Sequence, residues 1–197
     1  MTTGVSAVTV FCGSSRGRDP RHAADAATLG ADLARRGVHL VYGGASVGTM
    51  GVLADAALAA GGRVTGVIPR HFMGREVAHT GLTELVVVES MHERKALMAD
   101  LADAFMALPG GLGTLDELAE IVTWSLLGLH HKPVGLLNAA GFYERLLAHV
   151  DHVTEEGFLR AADRARLWSF DDVGALADAV LGAIDLSDRG GGPGTAR

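Results

Sequence analysis

The chain has 197 residues, of which 48% are hydrophobic and 20% charged; this suits one globular domain and excludes a disordered chain. The net charge of −6 and the pI of about 5.8 argue against a nucleic-acid-binding protein, because such proteins carry a basic stripe. Cys12 is the only cysteine, no signal sequence opens the chain, and no apolar run reaches about 18 residues, so we expect a cytoplasmic protein without a disulfide or a membrane segment.

Short Val-rich segments alternate with longer helical segments along the chain. The short segments are predicted to be strands covered on both faces: Ala7–Cys12, Val38–Tyr42, Arg63–Ile68, Glu84–Glu89, Asp103–Leu108 and Pro133–Leu137. The longer segments are predicted to be helices: Arg21–Arg36, Gly48–Ala60, Met91–Leu101, Thr114–Leu127, Gly141–Glu155 and Asp171–Ala183. This alternation predicts an α/β fold with a doubly wound parallel sheet.

The chain shows no internal repeat and no second domain, so we expect a single domain over residues 1–186. The segment Pro69–Thr83 lacks a clear periodicity and is predicted to be a loop with at most a short helix. Residues 187–197 contain the run Gly190-Gly191-Gly192-Pro193-Gly194 and are predicted to form a disordered C-terminal tail.

Three predicted strand-to-helix turns are rich in glycine and hydroxyl side chains. They are Cys12-Gly13-Ser14-Ser15, Gly43-Gly44-Ala45-Ser46-Val47-Gly48 and Pro109-Gly110-Gly111-Leu112-Gly113-Thr114. Ligands of an open parallel sheet bind beyond the carboxyl ends of its strands, where these turns lie. Glycines there allow several N–H groups to converge on one anion.

The third turn is also compatible with a plain tight turn followed by a Thr114 helix cap. Two common phosphate motifs are missing from the chain. Neither Lys95 nor Lys132 lies in a P-loop, and Gly111-Leu112-Gly113 is not completed by a further glycine at position 116, as a dinucleotide fingerprint requires. A mononucleotide therefore fits the turn better than ATP or NAD.

Several charged side chains are candidates for chemistry. Glu117 follows Thr114 by three residues, which predicts either a capping box or a carboxylate beside a bound phosphate and sugar. Arg94 and Lys95 lie in the first turns of a helix, where they oppose the dipole; a solvated face or an anion site explains them. Glu76 is compatible with a surface salt bridge. No Cys/His cluster is present, so no metal is predicted.

With these residues in view, the chain resembles the Lonely Guy family of cytokinin-activating phosphoribohydrolases from about Val8 to Leu159. The segment Pro109–Glu117 fits the family pattern PGGxGTxxE, and Met91-His92-Glu93-Arg94-Lys95 fits MHxRK. Supporting stretches are Val10-Phe11-Cys12-Gly13-Ser14-Ser15, Tyr42-Gly43-Gly44, Val122-Thr123-Trp124 and Lys132-Pro133-Val134-Gly135-Leu136-Leu137-Asn138.

The resemblance implies a Rossmann-like single domain, a homodimer and hydrolysis of a nucleoside 5′-monophosphate to a free base and ribose 5-phosphate, with no cofactor. By motif position, Arg94 and Glu117 form the catalytic pair. The remaining substrate-binding residues that we expect are Gly13, Ser14, Gly43, Gly44, Glu76, Lys95, Gly111, Leu112, Gly113, Thr114, Leu115, Asp116 and Thr123. Family members have often been labelled lysine decarboxylases, a label that we reject because neither lysine has a pyridoxal phosphate context.

The chain departs from the family pattern at a few positions. Ala45 replaces a usual glycine, Thr49 a usual Leu, Leu112 a common aromatic residue, and Asp116 a common Glu. The preferred base stays open: a prenylated adenine, plain adenine in a general AMP nucleosidase, and a non-catalytic nucleotide sensor or carrier are all compatible with these residues. We expect Met91, the Pro69–Thr83 loop and a partner subunit to form the base pocket.

Overall fold

A computed structural model describes residues 6–73 and 77–190. Its seven strands are β1 Ala7–Phe11, β2 His39–Tyr42, β3 Val64–Pro69, β4 Glu84–Val88, β5 Ala104–Ala107, β6 Val134–Leu137 and β7 Leu167–Phe170. Its helices are α1 Arg21–Arg35, α2 Gly48–Ala59, α3 Arg70–Met73, α4 Met91–Asp100, α5 Leu112–Leu126, α6 Glu144–Glu155, α7 Ala161–Arg164 and α8 Val173–Gly190.

The strands form one parallel sheet in the order β4-β3-β2-β1-β5-β6-β7. The chain winds outward from β1 to β4, returns to the centre at β5 and winds outward again on the other side. The predicted doubly wound α/β fold is therefore confirmed. Because β1 and β5 are neighbours, with Phe11 beside Ala107, their carboxyl ends border the crevice at which ligands of such sheets bind.

Both faces of the sheet are covered by helices. Successive residues of a strand point to opposite faces, and Val10 packs against one face while Phe11 packs against the other. Helices α1, α2 and α8 cover the face to which Val10 points, and α4, α5 and α6 cover the face to which Phe11 points. None of the helices in the described residues combines the length and the apolar character needed to cross a bilayer.

The structure contains β7 and α7, which the sequence did not predict. Both are four residues long, and β7 is an edge strand of which only Leu167 is buried, so neither carries a strong apolar pattern. Helix α8 continues as far as Gly190, beyond its predicted end at Ala183. The predicted tail over residues 187–197 stays a prediction, and residues 191–197 lie outside the described residues.

Candidate active site

A cavity of about 320 Å³ opens at the crevice between β1 and β5, within the size range of small-molecule sites. All three glycine-rich turns contribute to its wall. The predicted site residues that line it are Ser14, Gly43, Arg94, Gly111, Leu112, Gly113, Thr114, Asp116 and Glu117. The structure thus brings together segments that are about 100 residues apart in the chain.

Arg94 on α4 and Glu117 on α5 form an ion pair in the cavity wall. Arg94 Nη2 donates to Glu117 Oε1 over 2.7 Å, and the two side chains are only 13% and 7% exposed. Gly43 makes the pair possible, because a Cβ at that position would collide with Arg94 Nη2. Arg94 Nε is buried and has no partner among the described residues, so the guanidinium retains a donor.

The acidity of Glu117 is strongly altered by its position. Burial raises the pKa of Glu117 from 4.5 to about 7, and the charge of Arg94 offsets only part of that effect. A carboxyl group with this pKa exchanges its proton near neutral pH. Glu117 can therefore stabilise positive charge or activate water when it is ionised, and it can hold a proton when it is not.

Helix α5 begins two residues earlier than predicted, with Gly111 as its N-cap. Thr114 therefore lies inside the first turn, and the capping box that we considered for Thr114 and Glu117 is wrong, since the Glu117 carboxylate pairs with Arg94 instead. The N–H groups of Leu112, Gly113 and Thr114 have no acceptor among the described residues. Free N–H groups at a helix N-terminus favour an anion.

The second turn has a different task from the third. The N–H groups of Thr49 and Met50 at the start of α2 both donate to the Gly13 carbonyl, so this helix end is already occupied. Thr49 Oγ1 also accepts from the Gly13 N–H over 2.9 Å. Gly48, with φ of +67°, packs directly on the backbone of Ser14. The second turn thereby holds the first turn in place.

Several predicted substrate residues lie away from the cavity wall. Lys95 is 3.1 Å from Asp116 Oδ2 and 3.0 Å from Glu120 Oε2, so it ties α4 to α5. Leu115 and Thr123 border a separate apolar groove beside α5 and α6.

The two remaining glycines support the turns, and one predicted residue is not described. Gly13 supports the first turn as above, and Gly44 packs against the backbone of β3 with φ of +75°. Glu76 lies outside the described residues.

Apolar side chains that are not among the predicted substrate-binding residues complete the wall. They are Cys12, Ala45, Met50 and Ile68, which accompany Phe72 and Val77 from the Pro69–Thr83 loop and Met91 from α4. The last three belong to the segments that we expect to form the base pocket, which stays a prediction. Burial raises the pKa of the Cys12 thiol to about 12, so it is not a nucleophile at neutral pH. The signal for Cys12 and Ile68 was their place at or beside a strand end.

Within residues 6–73 and 77–190, no group of three or more His, Cys, Asp and Glu side chains is arranged to hold a metal ion. The metal-free, cofactor-free site predicted from the sequence stays a prediction. The polar groups that line the cavity include the Arg94 guanidinium, the carboxyl groups of Asp116 and Glu117, and backbone N–H groups. Such a set suits an anionic organic ligand better than a cation.

Comparison with known proteins connects this cavity to a protein family. The family model described as "Possible lysine decarboxylase" matches residues 50–180. The chain is 54% identical over 172 residues to a cytokinin riboside 5'-monophosphate phosphoribohydrolase of Rhodococcoides fascians, covering 86% of this chain and 87% of that protein. It is 50% identical over 160 residues to the rice enzyme of that name, covering 81% of this chain and 66% of the rice protein.

Solved structures share the fold at much lower identity. A molybdenum cofactor binding protein from Rippkaea orientalis superposes with a TM-score of 0.71 and 22% identity, covering 93% of this chain and 99% of that protein. The molybdenum cofactor carrier protein of Chlamydomonas reinhardtii gives a TM-score of 0.69 at 23% identity, again with 93% and 99% coverage. These likenesses concern the fold alone.

Proposed function

Because the chain belongs to the Lonely Guy family of phosphoribohydrolases, we propose that it hydrolyses the N-glycosidic bond of prenylated adenosine 5′-monophosphates. The bond between ribose C1′ and the base nitrogen breaks, water supplies the new C1′–O bond, and its proton balances the departing base. The products are a free cytokinin base and ribose 5-phosphate. The observation that carries the proposal is the buried Arg94–Glu117 pair in the cavity wall.

The chemistry of the bond explains why such a pair is useful. Cleavage builds positive charge on the ribose and negative charge on the departing base. The Glu117 carboxylate stabilises the cationic sugar or activates the water, and Arg94 stabilises or orients the leaving base. The free N–H groups of Leu112, Gly113 and Thr114 hold the 5′-phosphate, which fixes the sugar against the pair.

The lining of the cavity favours a base with an apolar substituent. Away from the ion pair, the wall is formed by Met50, Ile68, Phe72, Val77 and Met91. Both bases carry the ring nitrogens of adenine, but only the prenylated base adds an apolar chain, and burial against these side chains stabilises it. We therefore rank prenylated substrates above AMP, with a general AMP nucleosidase as the second candidate.

Product analysis with AMP and isopentenyladenosine monophosphate side by side tests both candidates. We expect free base and ribose 5-phosphate from both, with the higher kcat/KM for the prenylated nucleotide. Equal values would make the general nucleosidase the better description. The variants Glu117→Gln and Arg94→Ala are expected to lose turnover while remaining folded; absence of base release from the wild-type protein would favour a carrier.

We keep the homodimer and the cytoplasmic location as proposals as well. An apolar groove of about 340 Å³ runs beside α5 and α6 next to Phe158, which is 87% exposed. Exposed apolar patches of this kind mark protein interfaces, and a partner seated there would cover Thr123. Light scattering of the wild type and of Phe158→Asp tests the dimer, and cell fractionation tests the location.

A further inference from the structure

A second cavity of about 280 Å³ adjoins the first, and its wall is basic. The two cavities share Ser14 and Gly111. Beyond this junction, the second cavity is lined by Arg16, Arg18 and His22. None of the three belongs to a glycine-rich turn or to the motif that contains Arg94. The chain carries a net charge of −6, whereas this pocket, with its two guanidinium groups, is locally positive.

The two arginines lack carboxylate partners. Neither Arg16 nor Arg18 forms an ion pair or a hydrogen bond through its side chain within the described residues. Arg21, Arg36 and many other arginines of the chain are paired with aspartates or glutamates. The nearby Asp19 does not compensate this pocket, because its carboxylate is bound by Arg21.

The loop that carries the arginines is braced by packing. Gly17 lies between them with φ of +70°, and a Cβ at that position would lie 2.8 Å from His22 Cδ2. The His22 ring in turn packs edge-on against Phe142 with 5.3 Å between centroids. His22 Nδ1 is buried and has no partner among the described residues. The pocket therefore holds two unpaired guanidinium groups and an unsatisfied imidazole nitrogen.

The groups that line the two adjoining cavities correspond to the parts of a nucleotide. The first cavity holds the apolar wall with Met91 and the Arg94–Glu117 pair, and the second, which shares Ser14 and Gly111 with it, holds Arg16 and Arg18. Resting on the proposed function, we infer that Arg16 and Arg18 are the side-chain half of the phosphate site. They bind the 5′-phosphate of the substrate and of the ribose 5-phosphate product together with the α5 N–H groups.

This assignment has a distinct kinetic consequence. A contact with the phosphate exists in both the bound substrate and the transition state, so its loss raises KM and leaves kcat nearly unchanged. Each exposed arginine–phosphate contact is expected to contribute roughly a tenfold effect on KM. The effect weakens at high salt, because both guanidinium groups are exposed to solvent.

The test compares Arg16→Ala, Arg18→Ala and the double variant with the wild type, and uses Arg145→Ala as the control. Arg145 is also exposed and unpaired but lies on α6, outside both cavities. We expect KM for AMP and the inhibition constant of ribose 5-phosphate to rise together by tenfold or more in the double variant. Arg18→Lys retains most of the affinity, and Arg145→Ala leaves both constants unchanged.

A double variant with wild-type KM and wild-type inhibition by ribose 5-phosphate would overturn the inference. So would a loss of kcat at unchanged KM. Calorimetric titration with ribose 5-phosphate keeps the two proposals separable. If the wild type released no base, the proposed function would fail, while weaker ribose 5-phosphate binding by the double variant would still support the two arginines as an anion site.

Discussion

The pKa of Glu117 leads to a prediction about stability that does not depend on the substrate. Between pH 4.5 and 7, the folded protein holds a proton on Glu117 that the unfolded chain has already released. The free energy of unfolding therefore falls as pH rises through this window, and the loss is complete above the folded pKa. The increase of the pKa from 4.5 to about 7 corresponds to a change of about 3 kcal/mol.

The substitution Glu117→Gln removes this titration while keeping the shape of a protonated carboxyl group. Arg94 loses its charged partner in the variant, but it lacks that partner equally when Glu117 is protonated in the wild type. The variant is thus expected to gain stability over the wild type with rising pH, by about 2–3 kcal/mol between pH 5 and pH 8. A protein of this size gains about 2–4 °C in Tm per kcal/mol.

Urea unfolding at pH 5, 6, 7 and 8 measures the effect. Glu156→Gln is the matched control, because Glu156 is exposed at the end of α6, and its curve should stay parallel to that of the wild type. If the wild type and Glu117→Gln also gave parallel curves, Glu117 would ionise at its ordinary pKa, and the argument from burial would be wrong.

Three further outcomes follow from the same geometry. In wild-type turnover, kcat/KM should rise with pH, reach half of its plateau near pH 7 and level off about one pH unit higher if the ionised form of Glu117 is required; a flat profile would contradict that role. Gly43→Ala should reduce kcat at least about tenfold with little change in Tm, since the new Cβ displaces the flexible end of Arg94. Gly48→Ala should destabilise by about 3 kcal/mol or more, because its Cβ meets the Ser14 backbone at positive φ, whereas Gly37→Ala, at a similar φ in open space, should cost about 1 kcal/mol.

The two glycine predictions have separate controls. Gly182→Ala on α8 has open space around it and should leave kcat near wild type, while the better helix propensity of alanine should stabilise the protein by up to about 1 kcal/mol. Thermal unfolding and steady-state kinetics on the same preparations compare all four variants. A Gly43→Ala enzyme with normal kcat would mean that the position of Arg94 tolerates displacement.

Much of the fold could be predicted from local patterns. Six of the seven strands are short apolar segments followed by glycine, a charged residue or a turn, and such segments are recognisable because buried strands need a continuous apolar run. The edge strand β7 and the helix α7 were not predicted, because neither contains a continuous apolar run. With neighbours on one side only, β7 buries little, and its sequence carries a weak apolar signal.

For the candidate site as well, part of the chemistry could be predicted from the sequence and part depended on the tertiary structure. The sequence alone determined which residue types were available: the glycine-rich turn Pro109–Thr114, Glu117 after it, and Arg94 in a separate motif. Only the tertiary structure decided between a capping box and an ion pair for Glu117, because both use the same spacing and the choice depends on where α4 lies. The tertiary structure also pairs Lys95 with Asp116 of α5, and it places Arg16 and Arg18 in one cavity with Gly111. Proximity across about 100 residues comes from the order of strands in the sheet, which no local pattern encodes.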